Sequence, residues 1–208
     1  AIAKLREGIT ILSEPLSSDD PSPSLDDTFK KIGSDTEEYK PDFLLYIGST
    51  TISKRLRQFM RTLDSCAIVM LNEQMQIEDI TQHASYILQG TATTVLEDLS
   101  SILQLEKNAF GMNWDRLLSS VREDAKKLPV KITEQAVQEL EKHMTKESDV
   151  YYANSTAIRL AARHANHFVF CNRGLNGIEG SLSTAVGASL VSDGNVYCVI
   201  GDLSFFYD

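Results

Sequence analysis

The sequence has no apolar run of about 18 or more residues, the length that a membrane-spanning helix needs. It also lacks a basic excess, because its formal net charge is −9 at pH 7. Broad binding to nucleic acid or to anionic membranes requires a basic surface, so the composition argues against both. With 42% hydrophobic residues among 208, the composition is that of a soluble globular protein with one large or two small domains.

Cysteine is scarce. The three cysteines, Cys66, Cys171 and Cys198, lie far apart, and their spacing is not that of a metal site. Two of them stand in apolar, strand-like runs, which predicts reduced core thiols and favours a cytoplasmic setting. The histidines form no Cys/His or Glu-x-x-His pattern and are interpreted as surface or core residues. They are His83, His143, His164 and His167.

Three common catalytic or phosphate-binding motifs are missing as well. The sequence has no Gly-x-Ser-x-Gly nucleophile elbow and no Walker lysine motif, so hydrolase and phosphate-loop functions have no support. It also has no Gly-x-Gly-x-x-Gly fingerprint, which counts against a nicotinamide or flavin site.

What the sequence does contain is a regular alternation of strand-like and helix-like segments. This alternation predicts an α/β fold with parallel sheets and helices on their faces. We place a boundary at Leu128-Pro129, so that residues 1–128 form a Rossmann-like domain and residues 129–208 begin a second α/β domain. The predicted strands are Ile9–Leu12, Phe43–Ile47, Ala67–Leu71, Tyr86–Leu88, Asp149–Ala153, Phe168–Phe170 and Val196–Ile200.

The last predicted strand ends in Gly201-Asp202. In α/β folds this is a common way to present a ligand for a metal or phosphate, because glycine allows close approach of the backbone and the carboxylate reaches a hard cation. The chain begins with Ala1 and ends six residues after Asp202, where we expect a covering helix to begin. We therefore expect the sequence to be a piece of a longer enzyme.

Two further segments follow predicted strands. Asn154-Ser155 opens a helix and predicts either an anion site or a plain helix cap. Arg159 lies one turn later on the same face as Ser155, among mostly apolar neighbours, which favours a ligand or an ion pair. The loop Asn172–Gly180 holds three glycines, and Arg173 lies at the carboxyl end of a strand, where open α/β sheets bind ligands.

Lys54 and Arg55 lie in the first turn of a predicted helix, where the helix dipole disfavours cations. Their position indicates either an anionic target or a solvated basic face shared with Arg57 and Arg61. The sequence leaves both interpretations open.

Together these segments resemble a known family. Asn154-Ser155 with Arg159, the loop that starts at Asn172, and Gly201-Asp-Leu-Ser-x-x-Tyr-Asp208 are similar to the 2-succinyl-5-enolpyruvyl-6-hydroxy-3-cyclohexene-1-carboxylate synthases. These are thiamine-diphosphate enzymes of menaquinone biosynthesis. Glu14-Pro-Leu-Ser17 and Gly48–Leu56 resemble the middle domain of that family. Thiamine enzymes generally show Gly-Asp-Gly where this family and this chain show Gly-Asp-Leu.

The resemblance implies a role for each matching residue. Asp202 would ligate Mg²⁺ (or Mn²⁺), which holds the diphosphate, and Ile178 would be the apolar wedge beneath the thiamine. Ser155, Arg159 and Arg173 would be the catalytic and substrate-contacting residues, with Lys54 and Arg55 adding substrate contacts from the middle domain. The remaining cofactor-binding residues would be Asn154, Gly177, Gly201, Leu203 and Ser204.

The resemblance also implies a reaction, decarboxylation of 2-oxoglutarate and addition of the resulting succinyl carbanion equivalent to isochorismate. Both substrates are dicarboxylates, which suits a site with several cations. The family works as a homodimer or homotetramer, and its activating glutamate lies in an N-terminal pyrimidine-binding domain that this sequence does not contain. We therefore expect the fragment alone to be inactive.

Two other interpretations stay open. One is a non-catalytic nucleotide-binding or regulatory α/β module built on the first sheet. The other is a thiamine-diphosphate enzyme of the acetohydroxyacid synthase type, against which Leu203 and the additional cations count, because the substrates of such enzymes carry fewer carboxylates.

Overall fold

The computed structural model describes residues 1–74, 78–127, 129–145, 147–175 and 177–208. These residues form two compact units. Unit 1 comprises Ala1–Ile11 and Leu25–Glu123, and unit 2 comprises Leu12–Ser24 and Asp124–Asp208. Leu128, at the predicted domain boundary, lies outside the described residues, so the boundary there stays a prediction.

Unit 1 is built on a three-stranded parallel sheet, β1 (Phe43–Ile47), β2 (Ala67–Asn72) and β3 (Ala84–Gln89), in the order β1-β2-β3. Mostly apolar runs form its strands, as is typical of parallel sheets, and β2 is the most buried of the three. The register shifts once, between Ile68 and Val69 of β2. The parallel pairing confirms the predicted Rossmann-like α/β fold.

Three helices of unit 1 contribute aromatic side chains to a common core. The ring of Phe29 lies 4.8 Å from that of Phe59 and 5.8 Å from that of Trp114, measured between centroids. All three side chains are buried, as is Ile68 in the middle of the sheet. The helices are α1 (Ile2–Leu5), α2 (Leu25–Ile32), α3 (Lys54–Met60), α4 (Ala92–Ile102) and α5 (Ala109–Ala125), with a short 3-10 helix at Glu37–Tyr39.

Unit 2 contains one parallel strand pair, β4 (Asp149–Tyr152) and β5 (Val196–Val199). The predicted strand Phe168–Phe170 is reduced to a single bridge, between Tyr151 and Phe170. The helices of this unit are α6 (Ile132–Glu141), α7 (Thr156–His164), α8 (Ser181–Ser189) and α9 (Asp202–Tyr207).

The predicted strand Ile9–Leu12 is wrong, because it joins neither sheet. The run is divided between the units after Ile11, and the backbone N–H of Ile9 instead donates to the carbonyl of Leu5, extending the turn after α1. Among the described residues, no helix has the length and apolarity needed to cross a bilayer.

Candidate functional site at the carboxyl edge of unit 2

The parallel pairing of β4 with β5 brings two of the predicted site segments to one edge of the sheet. Tyr152 pairs with Val199, and the backbone N–H of Ala153 donates to the carbonyl of Val199 at 2.9 Å. Asn154 and Gly201 each follow two residues after the paired positions. The carboxyl edge of a parallel sheet is where open α/β folds bind ligands.

Asn154 holds the glycine-rich loop at this edge. The side chain is buried, and its Nδ2 donates to the carbonyls of Asn172 and Gly177, both at 2.6 Å. Its Oδ1 accepts from the Arg173 guanidinium at 3.3 Å and from the Cys171 thiol at 3.5 Å. The amide therefore holds the loop at its first residue and at Gly177, and it contacts the guanidinium of Arg173.

Ser155 occupies the residue before α7, but its hydroxyl makes no capping hydrogen bond. The side chain is exposed and the backbone is strained, with φ +69° and ψ −121°. Such a conformation costs a non-glycine residue on the order of 1–3 kcal/mol. The plain helix-cap interpretation of Ser155 is thus wrong, because its hydroxyl accepts no hydrogen bond from the first N–H groups of α7.

Asn172, which the sequence analysis did not single out, ties the loop to α8. Its Nδ2 donates to the carbonyl of Gly180 at 3.0 Å and to the hydroxyl of Thr184 at 2.8 Å. Gly180 adopts φ +76°, which favours glycine at the start of α8. The half-buried Ile178 donates its backbone N–H to the Glu179 carboxylate at 3.0 Å, and Asn176 of this loop lies outside the described residues.

The N-terminus of α8 binds a carboxylate, that of Asp208. Oδ2 accepts from the backbone N–H of Leu182 at 2.5 Å and of Ser183 at 3.1 Å, and Oδ1 accepts from the Ser183 hydroxyl. The bond from this hydroxyl holds the pKa of Asp208 below its ordinary value, although desolvation opposes it. Sequence reasoning missed Asp208 because its partners lie 25 and 26 residues earlier in the chain.

Gly201-Asp202 begins α9 directly after β5, and both residues are exposed. The Asp202 carboxylate accepts no hydrogen bond from any residue that the structure describes. Leu203 is exposed and Ser204 is buried. Within the described ranges, no group of three or more His, Cys, Asp or Glu side chains could hold a metal ion.

The two predicted arginines of unit 2 differ in their surroundings. Arg159 is exposed on α7, where it makes neither an ion pair nor a hydrogen bond with the described part of the chain. Arg173 is half-buried and contacts Asn154. Burial raises the pKa of the neighbouring Cys171 thiol to about 11 even though Arg173 opposes the shift, and all three cysteines of the chain are free.

In unit 1, the anion beside Arg55 is a carboxylate of the chain itself. Its guanidinium pairs with the Asp26 carboxylate, whose Oδ1 also accepts from the Ser53 hydroxyl at 3.1 Å and from the backbone N–H of Arg55 at 3.4 Å. Lys54 is exposed. Arg57 and Arg61 do not form a purely solvated basic face, because they donate to the carbonyls of Thr51 and Ile80, at 3.3 Å and 3.2 Å.

Comparison with known proteins gives one consistent result. No model of a protein family matches the chain. The curated relatives that it matches include several named 2-succinyl-5-enolpyruvyl-6-hydroxy-3-cyclohexene-1-carboxylate synthase. The relative from Cytophaga hutchinsonii is 31% identical over 183 residues, which cover 84% of this chain and 33% of the relative. The relative from Staphylococcus epidermidis is 28% identical over 208 residues, covering 96% and 37%.

The third relative, from Bacteroides thetaiotaomicron, is 30% identical over 177 residues, which cover 83% of this chain and 31% of the relative. The chain thus spans about a third of the length of the curated relatives it matches. The similarity runs through both structural units, since the match to the Staphylococcus epidermidis relative covers almost the whole chain.

Proposed function

The chain belongs to the family of 2-succinyl-5-enolpyruvyl-6-hydroxy-3-cyclohexene-1-carboxylate synthases, and on this premise we propose that it is part of a thiamine-diphosphate-dependent enzyme of menaquinone biosynthesis. In this proposal unit 2 contributes the diphosphate half of the cofactor site. The observation that carries it is the parallel pairing of β4 with β5, which supports a common site for Asn154, the loop it holds and Asp202.

The residues at this edge fit a magnesium diphosphate. The N-terminus of α8 holds a carboxylate through two backbone N–H groups and a hydroxyl, and such donors equally suit a phosphate oxygen. Asp202 offers hard oxygen atoms at the start of the neighbouring helix. Mg²⁺ is usually bound through one or two carboxylates together with phosphate oxygens and water, so a single protein carboxylate is compatible with the metal.

Each residue would then have one task. Asp202 would ligate the metal ion, Mg²⁺ or Mn²⁺, and Gly201, Leu203 and Ser204 would surround the diphosphate. Gly177 and Ile178 would contact the rings of the cofactor from the loop that Asn154 holds. When bound, thiamine diphosphate supplies the electron sink that lets a 2-oxo acid lose CO₂ and react as an acyl carbanion equivalent.

The substrates in this proposal are 2-oxoglutarate and isochorismate, both dicarboxylates. Arg173 would hold one carboxylate through parallel N–H bonds, and its contact with Asn154 orients the guanidinium in advance. The exposed Ser155 hydroxyl and Arg159 would complete the substrate contacts. Lys54 is a further cation for the substrates, whereas Arg55 would have to share its guanidinium with Asp26.

The same family membership supports two coarser features of the full-length protein. We propose that it works as a homodimer or homotetramer. Its free, half-buried or buried thiols support a reducing, cytoplasmic setting.

The test uses the full-length protein, with thiamine diphosphate and Mg²⁺, in an assay of 2-oxoglutarate decarboxylation with isochorismate present. Arg173→Ala should lower kcat/KM by about 10- to 150-fold, because a charge-assisted hydrogen bond contributes about 1.5–3 kcal/mol. Arg116→Ala is the matched control, since this exposed arginine of α5 hydrogen-bonds to the Asn113 side chain, within its own helix. Equal kcat/KM in the Arg173→Ala variant and the parent would contradict the assigned role.

A further inference from the structure

Unit 1 has a cleft of about 320 Å³ that is separate from the residues discussed for unit 2. Ile47 and Gly48 from the end of β1, Leu71 and Glu73 from the end of β2, and Gly90 after β3 line it. Because the three strands are parallel and adjacent, their carboxyl ends open on one edge of the sheet. Ligands of open α/β sheets bind at this edge.

The lining combines an apolar wall with one acid. Ile47, exposed by 38%, supplies most of the apolar surface above the buried Leu71, and the exposed Glu73 follows β2 directly. The Gln89 side chain donates to the backbone carbonyl of Glu73 at 3.2 Å, which fixes this residue against the end of β3. Gly48 adopts φ +117° and has no atom within 4 Å of the place where a Cβ would stand, so the turn after β1 leaves the cleft open.

An acid at the end of the second strand is the group that holds the ribose hydroxyls in nucleotide-binding α/β sheets, while the base rests on apolar strand ends. The size agrees, since about 320 Å³ lies at the lower end of the roughly 300–1,000 Å³ that ligand pockets occupy. This volume suits a nucleoside better than a dinucleotide.

The surroundings of the cleft disfavour a phosphate. In dinucleotide-binding folds the pyrophosphate lies at the N-terminus of the helix after the first strand. Here that helix is α3, and the Asp26 carboxylate occupies its N-terminus through Ser53 and the backbone N–H of Arg55. The negative charge of Glu73 repels an anion further.

We propose that this cleft binds an uncharged ribonucleoside, with the Glu73 carboxylate accepting hydrogen bonds from the vicinal ribose hydroxyls and the base lying against Ile47 and Leu71. The site goes beyond the proposed function, because it uses no residue of unit 2 and no group of the reaction.

The test is isothermal titration of the chain with adenosine as the probe, with 2′-deoxyadenosine and adenosine monophosphate as comparisons. We expect adenosine to bind, and both comparison ligands to bind at least about tenfold more weakly, because one lacks a hydroxyl and the other adds a charge. Glu73→Gln should weaken adenosine binding by a similar factor. Glu97→Gln on the exposed face of α4 removes the same charge away from the cleft and should leave binding unchanged.

Several results would overturn the proposal. These are no heat of binding with adenosine in a chain that circular dichroism shows to be folded, equal affinity for adenosine and its 2′-deoxy analogue, or tighter binding of the monophosphate. Equal weakening of adenosine binding by Glu73→Gln and Glu97→Gln would show that the effect arises from net charge. It would therefore also reject a role for Glu73 in holding the ribose.

Discussion

The backbone of Ser155 is strained, because serine adopts here a conformation that usually requires glycine. With φ +69° and ψ −121°, it lies in a region that L-amino acids rarely adopt. Its hydroxyl does not cap α7, so no local hydrogen bond offsets the strain. A strained, exposed hydroxyl at the carboxyl edge of a parallel sheet is typical of a binding residue, where strain is tolerated because it directs a side chain towards a ligand.

Replacing Ser155 with glycine should therefore separate stability from function. We expect Ser155→Gly to raise the free energy of unfolding by about 1 kcal/mol, because glycine adopts this backbone without steric cost. In the full-length enzyme the same change should raise the KM for the substrate whose carboxylate the Ser155 hydroxyl contacts. Thermal and urea unfolding of the chain, together with steady-state kinetics, measure the two effects.

Thr156→Gly is the matched control for this prediction. Thr156 is the first residue of α7 and is exposed, so glycine there should lower the free energy of unfolding by roughly 0.5–1 kcal/mol. A Ser155→Gly variant that is as destabilised as Thr156→Gly would show that the Ser155 backbone is not under strain.

The presence of an anion beside Arg55 was predictable from the sequence, but its identity was not. A cation in the first turn of a helix indicates a nearby anion, and the structure has one, in Asp26. The identity of this anion was not predictable, because Asp26 lies 29 residues earlier in the chain and belongs to α2. Whether Arg55 also contacts a substrate stays a prediction.

At the scale of elements, a buried hydrogen-bonded network joins α6 to the strand β4. Glu141, the last residue of α6, accepts from the hydroxyl of Tyr152, the last residue of β4, and pairs with His167 at 2.8 Å. The His167 Nδ1 lies 2.9 Å from the carbonyl of Phe168. Tyr152 is fully buried, and the side chains of Glu141 and His167 are exposed by 7% and 17%, so this histidine packs at the edge of the core of unit 2.

This network predicts a pH dependence of stability. The hydrogen bond that His167 donates to the Glu141 carboxylate raises the pKa of His167, although burial opposes the shift. A pKa raised by folding contributes stability that is fully present below the unfolded value of about 6.5 and is lost as the pH rises through the folded pKa. We therefore expect the melting temperature of the chain to fall as the pH rises from about 6 upwards.

Two variants test the origin of this slope. His167→Gln should flatten it and cost about 1.5–3 kcal/mol of stability below pH 6.5, because a charge-assisted hydrogen bond is lost. His143→Gln removes a histidine that pairs with Glu139 at 3.5 Å, with both side chains mostly exposed, and should leave the slope intact. The expectation fails if the His167→Gln variant retains the pH dependence of the parent.

The helices and strands were largely predictable from the sequence, whereas the hydrogen bonds between residues far apart in the chain were not. The apolar runs at Phe43–Ile47 and Ala67–Leu71 gave strands almost to the residue, because short continuous apolar runs are typical of parallel sheets. Phe168–Phe170 has the same composition but forms only one bridge. Asn154 holds the loop through hydrogen bonds to carbonyls 18 and 23 residues later in the chain. No local sequence pattern predicts such distant partners.

In the whole molecule, exposed apolar side chains of unit 2 are concentrated on α8 and α9, the helices that hold Asp208 and Asp202. Leu203, Phe205 and Phe206 of α9 are exposed by 61%, 52% and 81%, and Val186 of α8 and Leu190 directly after it by 54% and 81%. Exposed apolar residues so concentrated on two adjacent helices indicate a surface that is covered in a larger assembly. This agrees with a chain that spans about a third of its curated relatives.

The candidate cofactor site is therefore expected to be incomplete in this chain alone. Asp202 is one exposed carboxylate, and the donors at the N-terminus of α8 are bound to Asp208. In isothermal titration with Mg²⁺ and thiamine diphosphate, we expect the isolated chain to show no micromolar binding, and the full-length enzyme to bind tightly. Asp202→Asn should abolish binding by the full-length enzyme, because the carboxylate oxygen atoms hold the metal, whereas Asp193→Asn, a change to an exposed aspartate before β5, should not. Micromolar binding by the isolated chain would show that unit 2 is sufficient for the site, since tight binding requires the complete set of contacts.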